Sequence, residues 1–461
     1  MEPVRMRRVA VVAPEEELRD VLVDIAESGV VELDTTGDAA SAGPSARLLT
    51  QLPDDAVAAP VLSRTPVDPE GAVRLGRGDL LAAEAQLEER SAAAVHRGLV
   101  AGVTGWVPEE QVAPLAAALE PRGAAVVPLP APRGVDPPTL VHTRGGLNRS
   151  FAPLMDTYAT VPYVDVDPTV VAGLAFVVMY GMMFADAGQG ALLVLGGLLL
   201  RLGRPRRLSR FRSIWPFLVG AGVSATFFGV LFGEFFGPTG VLPVLWIEPL
   251  EEPVLLLLVS VGIGACLLSG AYVLGTVNRW REGGWRYALV APSGIAGIAL
   301  FLGLGLLALG AYAGTGWLVW AGVGIACAGL VLAYVGLYAG SGGGAGGAAQ
   351  AGVELFDGVI RLGTNLVSFA RLAAFGLAHA ALGAIVWQGT TALWDVGSVP
   401  AALGAVLLFV VGNVLTFTLQ AVVAGVQALR LEYYELFSRV FVAEGRPFQA
   451  WHLPVSSERA P

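Results

Sequence analysis

The sequence contains no lysine and few residues of the kinds that bind metals or form disulfides. All 29 basic residues among its 461 are arginine, and only four histidines and two cysteines occur. Both cysteines, Cys266 and Cys327, lie inside apolar runs, so we interpret them as small core residues and predict neither a disulfide nor a metal site. Residues 1–165 also lack a phosphate-binding loop and a GxGxxG fingerprint, and we therefore predict no cofactor.

Charge of either sign is scarce as well. Only 15% of the residues are charged, whereas soluble domains average about 25%. Hydrophobic residues make up 54%, against an average of about 45–50%. This balance argues against an ordinary soluble enzyme, a disordered chain or a nucleic-acid-binding protein. Four of the first eight residues are charged and the apolar stretch Val9–Val12 is too short for a signal peptide, so none is predicted.

The composition changes sharply near Pro168, and the sequence before it has the pattern of a small cytoplasmic α/β domain. We predict that this domain covers residues 1–165, that a transmembrane domain covers residues 166–445 and that a cytoplasmic tail covers residues 446–461. In the first domain the pattern predicts strands at residues 8–12, 30–33, 99–107 and 124–129 and helices at residues 15–27, 79–96 and 108–121. Residues 35–75, between the second strand and the second helix, are predicted to form a loop.

The transmembrane part is nearly continuous apolar sequence. About 20 apolar residues cross the ~30 Å hydrocarbon core, and seven runs reach this length, at residues 169–201, 214–236, 252–277, 287–312, 316–339, 353–394 and 400–440. The arginine-rich loop Arg201–Arg212 is predicted to be cytoplasmic by the positive-inside rule. Because the first domain is also expected there, the first run should cross twice, with a turn at Ala185–Gly190. The sequence therefore predicts eight transmembrane helices, the last two long and tilted, with both termini cytoplasmic.

Two arginines lie within the last two apolar runs, which form a predicted hairpin about Asp395–Pro400. A charge inside the membrane is costly and usually lines a functional path. Helix geometry places Arg371 and Arg430 on facing helices, within roughly 10 Å of each other in depth. Two facing arginines repel each other unless an anion lies nearby, so the sequence predicts an anionic group close to this pair.

Other polar residues accompany the arginines. Helical spacing places Asp357 about 40° and His379 about 80° from Arg371 around the helix axis, and Gln427 one turn from Arg430. A lone His379 is as typical of a buried structural residue as of a functional one. Three acids lie nearer the predicted interfaces, where a structural role is the more common one: Asp186, Glu234 and Glu432.

Several segments resemble motifs of one family in the same order. Arg371–Ala380, read as R-L-x-A-x-x-L-A-H-A, resembles the signature of the membrane-embedded stator subunit of V-type and A-type ATPases, called subunit a or subunit I (the 116 kDa subunit family). The other segments that resemble its motifs are Gly105–Pro108, Pro137–Pro138, Gly181–Gly188, Gly229–Gly237 and Ala428–Leu431 with Glu435 and Phe437–Arg439. The resemblance covers most of residues 95–450.

In that family two arginines face a rotating ring of proteolipid subunits, each with one carboxylate in mid-membrane. The resemblance assigns this role to Arg371 and Arg430, and it implies a stator that translocates protons or sodium without an ATP site of its own. A guanidinium favours the ionised carboxylate, and so strips the proton from each arriving carboxyl. The resemblance also assigns Asp357, His379 and Gln427 to the ion path. Its implied partners are the ring, the peripheral and central stalk subunits and the lipid of a bacterial cell membrane.

Two departures from the family pattern matter. Gln420 stands ten residues before Arg430, where many relatives carry an acid, so one half-channel is expected to use another donor. The candidate half-channel residues are Gln420 and the acids near the interfaces, Asp186, Glu234 and Glu432. The first domain is also short, and only Asp79–His96 suits a remnant of the family's long coiled coil.

Two other functions remain open from the sequence. A secondary transporter often has internal repeats and a midplane substrate site, but no repeat relates the two halves here, and the polar residues gather in the last two runs. A degenerate stator-like scaffold protein is the other alternative, and it is motivated by the short first domain and by Gln420.

Overall fold

The computed structural model divides the chain into two compact units. One comprises residues 3–142 together with 445–461, and the other comprises residues 143–444. We call the first the N-terminal unit and the second the membrane unit. The residues that the structure describes are 3–34, 43–52, 59–132, 135–140, 151, 162–203, 212, 214–441 and 445–456.

An antiparallel five-stranded sheet organises the N-terminal unit. The strands in this unit are β1 (Met6–Pro14), β2 (Glu32–Leu33), β3 (Leu62–Ser63), β4 (Val95–Arg97), β5 (Val100–Pro108) and β6 (Ala125–Leu129), and the helices are α1 (Leu18–Ser28), α2 (Pro44–Leu49), α3 (Pro69–Arg74), α4 (Gly78–Ala92) and α5 (Val112–Leu119). The sheet has the order β2-β5-β1-β6, and β4 also pairs with β5. Along β1, Val9, Val11 and Ala13 point into a core that α1, α4 and α5 cover. The predicted α/β region is thereby confirmed.

The loop predicted at residues 35–75 is wrong over its described part. That part contains α2, β3 and α3 in place of irregular chain. Pro44 and Pro69 are the first residues of the two helices, where a missing N–H leaves no helical hydrogen bond unmade. Proline therefore marks helix starts here, and not only turns. Residues 35–42 and 53–58 of the predicted loop lie outside the described residues.

The helix predicted at residues 79–96 is shorter than expected. It ends at Ala92 because residues 95–97 form β4 and pair with β5. Leu80, Leu81 and Leu87 on α4 are buried. The segment interpreted as a coiled-coil remnant is therefore a core helix of this unit.

The residues predicted as a separate tail, 446–461, belong to the N-terminal unit. Trp451 and Leu453 are buried in the same core as α1 and β1. The Trp451 indole N–H donates to Gln86 Oε1 at 3.2 Å. Val455–Ser456 forms a seventh strand, β7, which pairs in parallel with β3. Local pattern does not reveal this placement, because the partners are almost 400 residues away.

Trp451→Ala should lower the stability of the N-terminal unit. Removal of the buried ring leaves a cavity, which costs about 3–5 kcal/mol. Hydrogen exchange of the purified chain, followed by mass spectrometry, should show faster exchange of the α1 and β3 amides. The control is Leu99→Ala, because the Leu99 side chain is 86% exposed and should matter little. Equal exchange in the two variants would contradict the packing of residues 451–456.

The membrane unit is helical. Its helices are α6 (Thr169–Phe184), α7 (Ala187–Arg201), α8 (Trp215–Phe232), α9 (Pro253–Val290), α10 (Ile295–Tyr312), α11 (Gly316–Gly340), α12 (Gly344–Ser368), α13 (Ala370–Trp394) and α14 (Val399–Leu431), followed by a π-helical turn (Glu432–Phe437) and a last helical turn (Ser438–Val440). Within the described residues, six helices or helix runs are long and apolar enough to cross a membrane, with α12 and α13 counted as one run. The helices α6 and α7 are apolar but shorter, at 16 and 15 residues.

Helix α8 packs along α6 in the same direction. The rings of Phe176 and Phe217 lie 4.7 Å apart, and one to two turns further along both helices Gly181 packs against Ser224. The absence of a side chain at Gly181 is what permits this close approach, because a Cβ there would collide with Ser224.

Helix α7 packs along α8 in the opposite direction. Gly190 faces Gly222, and Gly197 faces Val219 nearer the start of α8. The chain therefore reverses direction between α6 and α7, at residues 185 and 186. The glycines of the predicted turn Ala185–Gly190 belong to α7, where they let α8 approach, so the turn itself is shorter than predicted.

The last two long helices form an antiparallel hairpin, as the sequence predicts about Asp395–Pro400. Val386 of α13 packs against Gly412 of α14. In this register Arg371, fifteen residues before Val386, is level with Gln427, fifteen residues after Gly412. Arg430 lies about one turn further along α14, about 4.5 Å in depth.

Candidate functional site

Arg371 lies where the helical run of α12 and α13 is interrupted. Phe369 separates the two helices, and its fully buried ring packs on Gly264 of α9. Arg371 is the second residue of α13, and its Nη2 donates to Ser368 Oγ at 3.2 Å and to Glu435 Oε1 at 3.4 Å. The guanidinium is thereby held at the interruption by one hydroxyl and one carboxylate.

Glu435 reaches Arg371 from the π-helical turn. Its side chain is only 6% exposed. Backbone hydrogen bonds in a π-helix join residues five apart, so the turn is wider than an α-helical turn and rotates the residues that follow. The guanidinium of Arg439, just after the turn, lies 5.6 Å from the centre of the Tyr272 ring, and Gly275 leaves room for the Arg439 carbonyl. These contacts with α9 hold the end of the turn.

Arg430 and Gln427 lie at the same end of α14. Arg430 is exposed. Gln427 is half-buried, and its Oε1 has no hydrogen-bond partner among the described residues. Both predicted arginines therefore lie at the end of the hairpin where Glu435 pairs with Arg371.

A row of polar side chains continues along α14. Asn413, Gln420 and Gln427 are spaced seven residues apart, about two turns or ~10.5 Å each. Gln420 is buried, and its Oε1 makes no hydrogen bond to any described residue. Glu432, in the π-helical turn, is completely buried, and neither carboxylate oxygen has a partner within the described part of the chain.

The structure does not bring Asp357 to the arginine pair. Asp357 is exposed on α12 and forms an ion pair with Arg361, one turn along the same helix. It lies fourteen residues before Arg371, about 21 Å along a helix. The predicted angle between the two residues assumed one unbroken helix, whereas the run is interrupted at Phe369.

A second polar cluster surrounds Asp186. This residue caps α7, because its Oδ1 accepts the Gln189 N–H at 2.8 Å. Its Oδ2 accepts the Gly237 N–H at 2.9 Å, so the same carboxylate also holds the loop after α8. The Gln189 side chain in turn donates to Asn413 Oδ1 at 3.3 Å and ties α7 to α14.

His379 and Glu234 complete this second cluster. His379 is buried on α13, with Nε2 4.0 Å from Asp186 Oδ2 and its ring centre 5.1 Å from that of Phe184. Glu234 lies in the loop that follows α8, and its Oε2 is buried with no partner among the described residues. Burial, with smaller contributions from Asp186 and Glu248, raises the pKa of the Glu234 carboxyl to about 8. Glu234 can thus carry a proton at neutral pH.

Sequence reasoning missed several residues of these two clusters. Glu435 stood in a segment that resembles the family, but it was not assigned to the site. Ser368, Gln189 and Asn413 carried no signal of their own, since single hydroxyl and amide groups are common in apolar helices. No group of three or more histidine, cysteine or acidic side chains is placed to bind a metal ion in the described part of the chain.

Comparison with known proteins identifies relatives of this chain. A model of the V-type ATPase 116kDa subunit family matches residues 91–239. The A-type ATP synthase subunit I of Pyrococcus horikoshii is 25% identical over 360 residues, which cover 76% of this chain and 53% of the relative. The A-type ATP synthase subunit I of Aeropyrum pernix is 30% identical over 366 residues, which cover 69% of this chain and 51% of the relative. The V-type ATP synthase subunit I 2 of Treponema pallidum is 32% identical over 143 residues, which cover 29% and 32%.

The chain belongs to the V-type ATPase 116 kDa subunit family. It spans about half the length of the curated relatives it matches, such as those from Pyrococcus and Aeropyrum. The range that matches the family model includes Asp186 and Glu234 and ends before the arginine pair. The relatives are mostly archaeal, so they do not support the bacterial membrane that the sequence led us to expect.

Asp186→Ala should destabilise the membrane unit. The substitution leaves two backbone N–H groups without their acceptor, which costs about 2–5 kcal/mol. The apparent Tm of the detergent-solubilised chain should fall most for Asp186→Ala and less for Asp186→Asn, since the amide keeps one acceptor oxygen. Asp395→Ala, on an exposed turn, is the matched control and should have little effect. A Tm of Asp186→Ala equal to that of the control would contradict the clamping role.

Proposed function

We propose that the chain is the membrane stator subunit of an A/V-type rotary ATPase and translocates protons past a rotating ring of carboxylate-bearing subunits. One observation carries the proposal. Arg371 lies between apolar helices, and its Nη1 is buried without a hydrogen-bond partner among the described residues. A buried guanidinium donor without an acceptor is costly. The Arg371 side chain is nevertheless 27% exposed, and a carboxylate that arrives on another subunit can pair with the guanidinium through this exposed part.

The chemistry follows from the charge of the arginines. A carboxyl in lipid keeps its proton, because an isolated charge in hydrocarbon is unstable. Next to Arg371 the ionised form is favoured, so the carboxyl releases its proton there. The same positive charges oppose the passage of a proton directly between the two sides. Each ring carboxyl therefore exchanges its proton only through the polar groups on either side of the arginines.

The two polar clusters support two half-channels that are offset along α13. Gln427 and Glu432 lie at the arginine end of α14. His379, with Asp186 and Glu234, lies eight residues beyond Arg371, about 12 Å along the helix. Glu234 is the protonatable group of this second cluster.

Glu432 is the protonatable group of the half-channel at the arginine end. Gln420 does not titrate, so the acid expected there has to be supplied by another residue. Glu432 is buried and unpartnered among the described residues, two positions after Arg430. Asp357 is exposed on α12 and serves as an outer group of that path.

The reversal between α6 and α7 supports eight spans, with the two short helices as separate crossings. The arginine-rich loop after α7 and the N-terminal unit then lie in the cytoplasm, as the positive-inside rule requires. The partners in this proposal are the proteolipid ring, the stalk subunits and the lipid of the cell membrane. The N-terminal unit provides the contact with the stalk subunits, because it is the largest part of the described chain outside the membrane helices.

Arg371→Ala should abolish ATP-driven proton uptake while the protein remains inserted and assembled. Without the guanidinium, an arriving carboxyl keeps its proton past the stator. Arg371→Lys should also fail substantially, since a compact ammonium cannot replace the planar fork and can itself lose its proton when desolvated. The measurement is dye-quench uptake in vesicles, normalised to the amount of copurified ring subunit.

Arg286→Ala is the matched control, because Arg286 is exposed on α9 and lies outside both clusters. It should pump at the wild-type rate. Wild-type uptake by Arg371→Ala would refute the stator mechanism. A wild-type complex that assembles and hydrolyses ATP without proton uptake would instead favour the scaffold alternative.

A further inference from the structure

We infer that Glu435 is an internal counter-ion that balances the charge of one arginine, so that the site presents a single net positive charge to the ring. This inference rests on the proposed function. Glu435 is a positioning residue, because it acts through the arginines and touches no ring carboxylate. The observation behind it is that one buried carboxylate accepts a hydrogen bond from Arg371, close in depth to Arg430, and uses only part of the Arg371 fork.

The two ends of the Arg371 fork have different environments. Nη2 is engaged by Ser368 Oγ and Glu435 Oε1, at 3.2 and 3.4 Å. Nη1 is buried and has no partner among the described residues. A guanidinium that is fixed at one nitrogen by a neighbouring carboxylate keeps its other nitrogen in a defined direction. Glu435 thus fixes the orientation of the guanidinium, and with it the exposed part of the side chain that an incoming carboxylate can meet.

Glu435 itself has a free acceptor. Its Oε1 receives the bond from Arg371, whereas its Oε2 is buried and makes no hydrogen bond to any described residue. Arg430 is exposed and lies about one helical turn from the level of Arg371, so its charge belongs to the same end of the hairpin. Glu435 thus brings one negative charge to the end of the hairpin that holds two positive ones.

The balance of charge decides how tightly a ring carboxylate is held. Arg371 and Arg430 together carry two positive charges, and Glu435 leaves one. A ring carboxylate then meets one net positive charge and forms a neutral site, from which it can leave when it is protonated. Without Glu435 the site keeps two positive charges, and attraction in a medium of low dielectric holds the carboxylate too strongly. The ring then pauses at the stator.

The counter-ion role predicts how proton uptake depends on the net charge of the site. Glu435→Gln leaves two positive charges, Arg430→Gln leaves none, and the double variant returns to one. ATP-driven proton uptake should fall by about tenfold in each single variant, which corresponds to about 1.4 kcal/mol at the rate-limiting step. The double variant should pump several times faster than either single variant. A purely structural role of Glu435 would make the double variant no faster than the slower single variant, and that result would overturn the inference.

Conservative and neutral controls complete the experiment. Glu435→Asp keeps the charge and should retain more uptake than Glu435→Gln. Ser368→Ala removes the other partner of Nη2 without a change of charge, so it should reduce uptake less than Glu435→Gln. Copurification of the ring subunit, measured for every variant, shows that the complex has assembled. Wild-type uptake by Glu435→Gln would also overturn the inference.

The two proposals fail in different ways. If Arg371→Ala pumps like the wild type, the stator mechanism is wrong and the role of Glu435 falls with it. If Arg371→Ala is inactive but Glu435→Gln and Glu435→Asp pump alike, only the counter-ion role is wrong. If detergent-purified Glu435→Gln lacks the ring subunit, the uptake of Glu435→Asp relative to the wild type decides the matter, and a loss as large as tenfold would count against the counter-ion role.

Discussion

A guanidinium group among apolar helices is stable only where other polar groups replace the water that it has lost. Arg371 meets this constraint with a hydroxyl on the preceding helix and a carboxylate on the facing one. The two partners lie beside the two departures from regular α-helix in this hairpin, since Ser368 immediately precedes Phe369 and Glu435 lies in the π-helical turn.

The second polar cluster uses the same principle with backbone groups. Asp186 satisfies the exposed N–H groups at the start of α7 and in the loop after α8 with one carboxylate. Close glycine contacts between α7 and α8 bring these two chain ends together. Gly383 of α13 packs closely on Gly237 of the same loop, one turn beyond His379, and His379 lies 4.0 Å from Asp186 at this contact.

The sequence pattern predicts the parts of this molecule that depend on local order. The apolar runs, the arginine hairpin and the strand–helix order of the N-terminal unit follow from periodicity and from turn residues. Glu435 escapes such reasoning because its partner, Arg371, lies on another helix 64 residues earlier, and because a π-helical turn departs from the regular α-helical spacing. Asp357 is exposed on α12 and pairs with Arg361, and its place in the ion path stays a prediction. The pairing of β7 with β3 depends on a contact across almost the whole chain, which no local pattern contains.

The position of β7 has a consequence for how the protein is made. Trp451 and Leu453 complete the core of a unit whose other strands and helices lie within residues 3–142. A ribosome synthesises α6 to α14 between these two parts of the unit. Domains generally fold as units during synthesis, N-terminal first, but the core of this unit receives Trp451 and Leu453 only after every described membrane helix has been synthesised. A ribosome that stalls in α14 therefore leaves this core without two of its buried side chains.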